Sequence, residues 1–414
     1  MLGIDYNTAL VLIGTATLGA AAGVVGALGL LRGRALLGDA LAHATLPGIC
    51  IAFLLFGRSF PILLAGALAT GLLGVLTVAF LRARTPVRED AAIGIVLSVF
   101  FGFGLALSDH IQKNTPDGSQ AGVTGFILGR TAGMIGTDVA VIAGCSVAVL
   151  IAVAILFKEF KLLCFDPEFA AVDGWPIARL DVGLMLLLAV TTVVGLPAVG
   201  VVLMVALLIL PAAAARFWVS GLSAMLLLAS CFGVATGVLG TILSASASDL
   251  PAGPLIVLAG SAIFLFSSLA APQRGILARI LDERQRRQQR VLQGLLSTLH
   301  DDGPEDSPRT ATELIHQRDW SVRETRKILR ECAAEGWVER DREGWRLTDS
   351  GRVRAARVVR THRLWEHYLL TDANIDRDLI DPDAEVIEKI LPKDVIARLE
   401  SELIEAGRLP KESA

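Results

Sequence analysis

Nine runs of apolar residues decide what this chain can become. They lie near 8–30, 36–56, 60–81, 91–108, 137–157, 180–196, 198–216, 220–243 and 254–271. Each is long enough to cross, or nearly cross, the roughly 30 Å of a bilayer's hydrocarbon. Backbone in lipid must satisfy its own hydrogen bonds, so such runs fold as helices. The expected fold class is an all-α polytopic membrane protein of about nine transmembrane helices. The sixth and seventh runs are short and meet at "VGLPAVG" (194–200). No basic stretch precedes the first run, so it is expected to be a retained helix and not a cleaved signal.

Charge divides the chain. Residues 1–271 hold 12 Lys and Arg against 13 Asp and Glu, whereas 272–414 hold 26 against 28. Both parts are close to neutral, which argues against nucleic acid or an acidic substrate as partner. Basic residues mark the cytoplasmic ends of spans. Arg32 and Arg34, then Arg82, Arg84 and Arg88, Lys158 and Lys161, Arg216, and Arg274 and Arg279 fall at alternate boundaries. That spacing predicts an outside N-terminus and an inside C-terminus, with the loop 158–179 inside and 108–122 outside. The five cysteines include no C-x-x-C pair, so neither a zinc ribbon nor a disulfide framework is indicated.

The second run carries ionisable residues, "GRALLGDALAHATLPGICIAFLL" (33–55). Such groups at membrane depth usually face a bundle interior or a wet path. Asp39 and His43, four apart, share one helix face. A carboxylate with an imidazole suits first-row divalent metals. Pro47 offers no N–H to the carbonyl of His43, which leaves that oxygen free. Two side chains and an oxygen are too few for a closed site, but duplicated across a dimer axis they make a transient one. The alternative is that Asp39 and His43 bond each other, or that Asp39 caps its helix. His110, beside Asp109 in an outer loop, reads as solvated.

In the loop 158–179, "FDPEFAAVDG" (165–174) predicts a short helix starting at Asp166–Pro167, because Asp caps and Pro suits the first helical position. Phe165, Phe169 and Ala170 are apolar enough to plug a groove, with Glu168 and Asp173 placed for a basic rim. An ordinary amphipathic surface loop is the other reading. No G-x-x-x-x-G-K-[ST] phosphate loop occurs, so this chain is expected not to hydrolyse ATP and not to be an enzyme.

Three segments then carry a resemblance: 36–55, the loop 157–174, and "VVGLPAVGVVLMVALLILPAAAAR" (193–216). In this order they resemble the permease subunits of ABC importers for zinc, manganese or iron, over about residues 8–271. The resemblance implies a metal permease domain over 1–271 that dimerises with a second copy in a bacterial plasma membrane. It also implies a separate ATP-binding cassette subunit and an extracytoplasmic metal-binding protein. By position, Asp39 and His43 become metal-pathway residues, and Phe165, Asp166, Pro167, Glu168 and Phe169 the ATPase-coupling segment. The divalent ion is cargo, and no tightly bound cofactor is implied.

From about Pro272 the composition becomes polar. A connector helix is expected over 272–300 and a winged-helix domain over 301–351. Thr310 with Glu313, and Ser321 with Glu324, are spaced as capping boxes. Gly336 ends the second helix, and "WVERDREGWRLT" (337–348) reads as a hairpin. Arg323, Arg326, Lys327 and Arg330 line one side of that helix, as in a DNA-reading helix. Protein docking or simple solvation is the alternative.

The segment 352–414 is expected to be helical and dimerisation-like. "RVRAARVVRTHRLWEHYLL" (352–370) and "DLIDPDAEVIEKILPKDVIARLESEL" (378–403) resemble the dimerisation segment of metal-dependent repressors of the diphtheria-toxin-repressor type. That resemblance assigns His362, Glu385 and Glu388 to a metal site. Lys389 stands where the family has histidine, and no acidic residues lie near Gln289–Arg290. The site is therefore eroded, and a dimerising or regulatory role follows. Two other functions compete: a membrane-tethered metal-responsive DNA-binding regulator, and an intramembrane metalloenzyme, which lacks a motif such as H-E-x-x-H.

Overall fold

The computed structural model describes residues 5–34, 37–57, 59–114, 129, 131–246, 250–272, 274–301, 310, 314, 321–342, 344–371 and 393–405. Two compact units result, Met1–Ala278 and Arg279–Ala414.

The first unit is entirely helical among its described residues. Its helices are α1 (Tyr6–Leu31), α2 (Leu37–Ala44), α3 (Leu46–Phe56), α4 (Phe60–Arg84), α5 (Glu89–Asn114), α6 (Gly136–Ile155), α7 (Phe157–Phe165) and α8 (Pro167–Val172). They continue as α9 (Ile177–Val199), α10 (Val201–Trp218), α11 (Leu222–Ala245) and α12 (Ala252–Ala270). Counting α2 and α3 as one crossing, eight spans among the described residues are long and apolar enough to cross a membrane, and α10 holds the shorter apolar helix Leu203–Trp218. The junction at "VGLPAVG" resolves into two helices broken at Gly200, whose φ is +82°.

α1 is the axis of this bundle, with fourteen consecutive or near-consecutive small and apolar residues buried between Val11 and Gly29. Lipid supplies no hydrophobic drive between helices, so close backbone approach at small residues must. A methyl group built on Gly19 or Gly233 would overlap the backbone of α11 or α1 respectively, and Gly23 meets Ala229 in the same way. Thr15 and Thr241 add a buried hydroxyl–hydroxyl bond of 3.2 Å between the same two helices.

One end of the bundle is pinned by charge. Asp181, near the start of α9 and 3% exposed, receives Arg34 at 2.5 Å, Arg82 at 3.1 Å and Arg32 at 3.3 Å. Arg32 also donates to the carbonyl of Leu163 in α7, at 3.2 Å. Arginines that sequence spacing places on one membrane side thus meet at one end of the fold.

The second unit begins within α13 (Ile276–Asp301) and continues as α14 (Val322–Ala334), β1 (Val338–Arg340), β2 (Trp345–Leu347), α15 (Asp349–Thr371) and α16 (Lys393–Glu405). β1 and β2 form an antiparallel hairpin, with Val338 opposite Leu347 and Arg340 opposite Trp345. Val291, Ile328, Cys332 and Val338 make its core under Trp337 and Trp345. Leu364 of α15 packs on Leu399 and Leu403 of α16. The Arg360–Glu400 pair and a His367–Glu402 contact of 2.8 Å hold that helix pair at its edges.

Gly336 does end α14, with φ +72°. The expected Ser321 capping box does not form. Ser321 makes no side-chain cap bond, its carbonyl accepts the Thr325 hydroxyl at 3.1 Å, and Glu324 instead meets Arg287 of α13 at 2.9 Å. An arginine within reach outcompetes a backbone N–H for the carboxylate. Glu313 of the other box lies outside the described residues, as do 302–309 and 315–320.

Burial pushes the Cys332 thiol up from its usual range to about 11. A thiol reacts as thiolate, so at pH 7.5 fewer than about one Cys332 in a thousand is reactive. Peptide-level mass spectrometry after iodoacetamide treatment should find Cys332 unmodified in the native protein and modified in urea.

Candidate metal-pathway site and docking helix

The apolar run 36–56 forms one crossing as expected, interrupted only at Thr45, whose backbone stays helical, with its N–H bonded to the Leu41 carbonyl at 3.2 Å and its carbonyl accepting the Ile49 N–H at 3.1 Å. α2 ends at Ala44, Thr45 forms a turn, and α3 opens with Pro47 in its first turn. Pro suits a helix start, where no N–H is required. The Thr45 hydroxyl donates to the carbonyl of Ala42 at 2.7 Å, and Thr70 of α4 donates to the carbonyl of Thr45 at 3.4 Å.

Asp39 sits in the first turn of α2 and His43 in its last. The Asp39 Oδ1 to His43 Nε2 distance is 3.5 Å, and the two side chains are 38% and 25% exposed. That separation is an i,i+4 ion-pair contact at the outer limit of a hydrogen bond, so the two groups lie against each other, as the alternative reading has it, without a tight bond. The edge of the His43 ring meets Phe101 of α5, with centroids 4.4 Å apart and planes at 67°. Among the described residues, no set of three His, Cys, Asp or Glu converges as a metal cage. The pair offers one carboxylate and one imidazole, a partial coordination shell.

The segment 165–174 matches its expected helix start. Asp166 caps α8, accepting the N–H of Phe169 at 3.0 Å, and Pro167 takes the first turn. Phe165 and Phe169 are 59% and 58% exposed, and Val172 is 90% exposed. Glu168 and Asp173 also face outward, with Asp173 accepting the Trp175 indole N–H at 3.0 Å. Ala170 corrects the expectation. It is fully buried under α8, so it anchors the segment, and Val172 joins the two phenylalanines on the open face. A six-residue helix must rest one side on the bundle, and the smallest side chain takes that side.

His110 and Asp109 lie in the last turns of α5 and not in a loop, but both are exposed as expected, His110 bonding Asn114 at 3.0 Å and Asp109 pairing with Lys113 at 2.8 Å. Arg323, Arg326, Lys327 and Arg330 are all exposed on α14, opposite the buried face of Thr325, Ile328, Leu329 and Cys332. His362 is exposed on α15, and its proposed co-ligands Glu385 and Glu388, with Lys389, lie outside the described residues. Sequence reasoning passed over Asp181. An aspartate at the head of an apolar run was the available signal, and Arg32, Arg34 and Arg82 served only as topology markers.

Comparison with known proteins agrees with this architecture. Residues 348–411 match the iron dependent repressor metal binding and dimerisation domain. The chain is 38% identical over 413 residues to the manganese transport system membrane protein MntC of Bacillus subtilis, covering 98% of this chain and 93% of that protein. It is 44% identical over 281 residues to the zinc transport system membrane protein TroC of Treponema pallidum, covering 68% and 94%. Among solved structures, PsaBC from Streptococcus pneumoniae in complex with Fab superposes with a TM-score of 0.58 at 32% identity, covering 67% of this chain and 95% of that one. The family model of the ABC 3 transport family matches residues 5–271, and the chain belongs to that family, carrying in addition a repressor-type C-terminal domain.

Proposed function

We propose that this chain is the membrane-spanning subunit of an importer that moves a divalent transition metal ion, manganese, zinc or iron, into a bacterial cell. Its N-terminus lies outside and its second unit in the cytoplasm. Two copies form the pathway, an extracytoplasmic metal-binding protein delivers the ion, and a separate ATP-binding cassette subunit supplies the work. The Asp39–His43 pair on α2 carries this reading, because two partly exposed, loosely paired ligand side chains on one helix face suit a passing ion better than a resident one. The manganese and zinc systems named among the relatives support the same cargo class.

In this mechanism the ion exchanges part of its water shell for Asp39 and His43, and a second copy supplies the same pair. Asp39 lends negative charge that lowers the cost of a cation at that depth. His43 supplies a borderline nitrogen donor beside the ring of Phe101. Phe165 and Phe169 seat in the ATPase subunit, while Asp166 and Pro167 fix the helix that presents them and Glu168 meets basic groups at the rim. ATP-driven motion of that subunit then moves the bundle.

The test is reconstitution with the ATPase and the binding protein in vesicles. ATP-dependent uptake of manganese or zinc supports the reading, and its absence for every divalent metal supplied rejects it.

The exposed arginines of α14 favour a second reading, a tethered DNA-binding regulator. Non-specific duplex binding is electrostatic and strengthens as salt falls. In a gel shift with detergent-solubilised full chain at low salt, the expected result is no retained duplex. Retention that weakens steeply with salt would favour the regulator. On the importing reading the second unit dimerises or regulates the permease, and the eroded His362, Glu385 and Glu388 set plays no obligatory part.

A further inference from the structure

The four-residue charge cluster takes no part in binding the ion, yet it connects the ion's helix to the docking helix. Arg34 closes the turn after α1, and its carbonyl accepts the N–H of Leu37, the first residue of α2, at 3.1 Å. Asp39 follows two positions later. The Arg34 side chain is 1% exposed and holds Asp181 Oδ2 at 2.5 Å. A buried cation separated from its buried counter-ion leaves uncompensated charge in a poorly polarisable medium. The turn into α2 and the head of α9 must therefore move as one body.

Arg32 extends that body to the docking segment. One of its guanidinium nitrogens reaches Asp181 Oδ1 at 3.3 Å, and another donates to the Leu163 carbonyl at 3.2 Å. Leu163 lies in the last turn of α7, where helix carbonyls lack intrahelical partners and a cation is favoured. α7 ends at Phe165, and the next residue, Asp166, caps α8. A continuous chain of backbone and paired charge thus runs from α8 through Leu163, Arg32, Asp181 and Arg34 to α2.

Resting on the importing function proposed above, we infer that Asp181, with Arg32 and Arg34, transmits displacement of the docking helix to the metal-binding helix. All three are positioning residues that touch no ion. A lock for the α1–α2 turn alone needs only Arg34 and Asp181. The bond from Arg32 to Leu163 is what carries the lock over to the segment that the ATPase moves.

The test reads metal uptake and ATP hydrolysis together, in vesicles holding the chain, the ATPase subunit and the binding protein, with manganese and zinc supplied in parallel. Arg32→Gln leaves the Arg34–Asp181 pair in place and removes the charged fork. The expected result is continued ATP hydrolysis with at least about a twofold fall in ions imported per ATP. Asp181→Asn should lower that ratio further, and Arg32→Gln carries the test if Asp181→Asn does not fold. Arg84→Gln, which removes an exposed charge at the end of α4, should keep the wild-type ratio. An Arg32→Gln ratio equal to wild type would overturn the inference. So would a proportional loss of uptake and hydrolysis, which a purely structural role produces. If the wild type imports neither metal, the importing function itself fails, and that outcome is separable from an altered ratio.

Discussion

Asp39→Ala and His43→Ala should each lower metal uptake by at least about tenfold, with the ATPase subunit still bound. The magnitude follows from how few ligands the site has. Losing an outer-shell partner of a metal ligand already costs about 10–100-fold in affinity or activity, and on the proposed function a ligand itself is removed from a set of two per chain. The fold should survive, because both side chains are only half-buried and their mutual contact is 3.5 Å. Asp39→Asn separates charge from shape. It keeps an oxygen donor and loses the charge that offsets a cation at membrane depth, so uptake should fall nearly as far as in Asp39→Ala. Uptake assays in reconstituted vesicles, with ATPase binding measured on the same preparations, check all three variants. Wild-type uptake by Asp39→Ala and His43→Ala would remove the assignment of the site.

The second large effect is expected at the other end of the machinery. Phe165→Ala and Phe169→Ala together should detach the ATPase subunit while leaving the bundle folded. Aromatic anchors seated in a partner's pocket each contribute about 2 kcal/mol or more to binding, and two such losses weaken association by a factor on the order of 10²–10³. Both rings stand more than half exposed in the single chain, so truncation opens no cavity. Ala170 gives the contrast: it is fully buried, so enlarging it to leucine should disturb the seating of α8 on the bundle and lower stability as well as binding. Pull-down of the ATPase subunit, alongside thermal unfolding of the membrane subunit, separates the two outcomes. Full retention of the ATPase by the double variant would show that α8 is not the docking element.

Much of the architecture was legible because a bilayer imposes simple rules. Run length located the spans, and Asp166–Pro167 announced a helix start that forms as expected. The hairpin around residues 342–344 and the stop at Gly336 were equally local signals. What was not legible depends on residues distant in sequence. Asp181 and Arg34 are 147 positions apart, and an arginine at a span's end looks the same whether it marks topology or pays for a buried carboxylate. Glu324 was read as part of a capping box because its neighbour Ser321 was visible and its actual partner, Arg287 on another helix, was not. Pro47 leaves the His43 carbonyl without its N–H, and the backbone stays helical on both sides of Thr45, as the sequence reads. The partner of that irregularity is not legible locally: the Thr70 hydroxyl, 25 positions on, bonds the Thr45 carbonyl at 3.4 Å.

The same limit governs the proposed metal site. Spacing alone puts Asp39 and His43 on one face, but not whether they bond each other. The two side chains lie 3.5 Å apart with the His43 ring against Phe101, and binding of an ion would draw both onto it. X-ray absorption at the edge of whichever metal the wild-type complex imports, recorded on the assembled transporter, asks this of the ion itself. The expected spectrum contains an imidazole scattering shell that disappears in His43→Ala. An ion whose coordination is the same in the wild type and in His43→Ala would contradict the account.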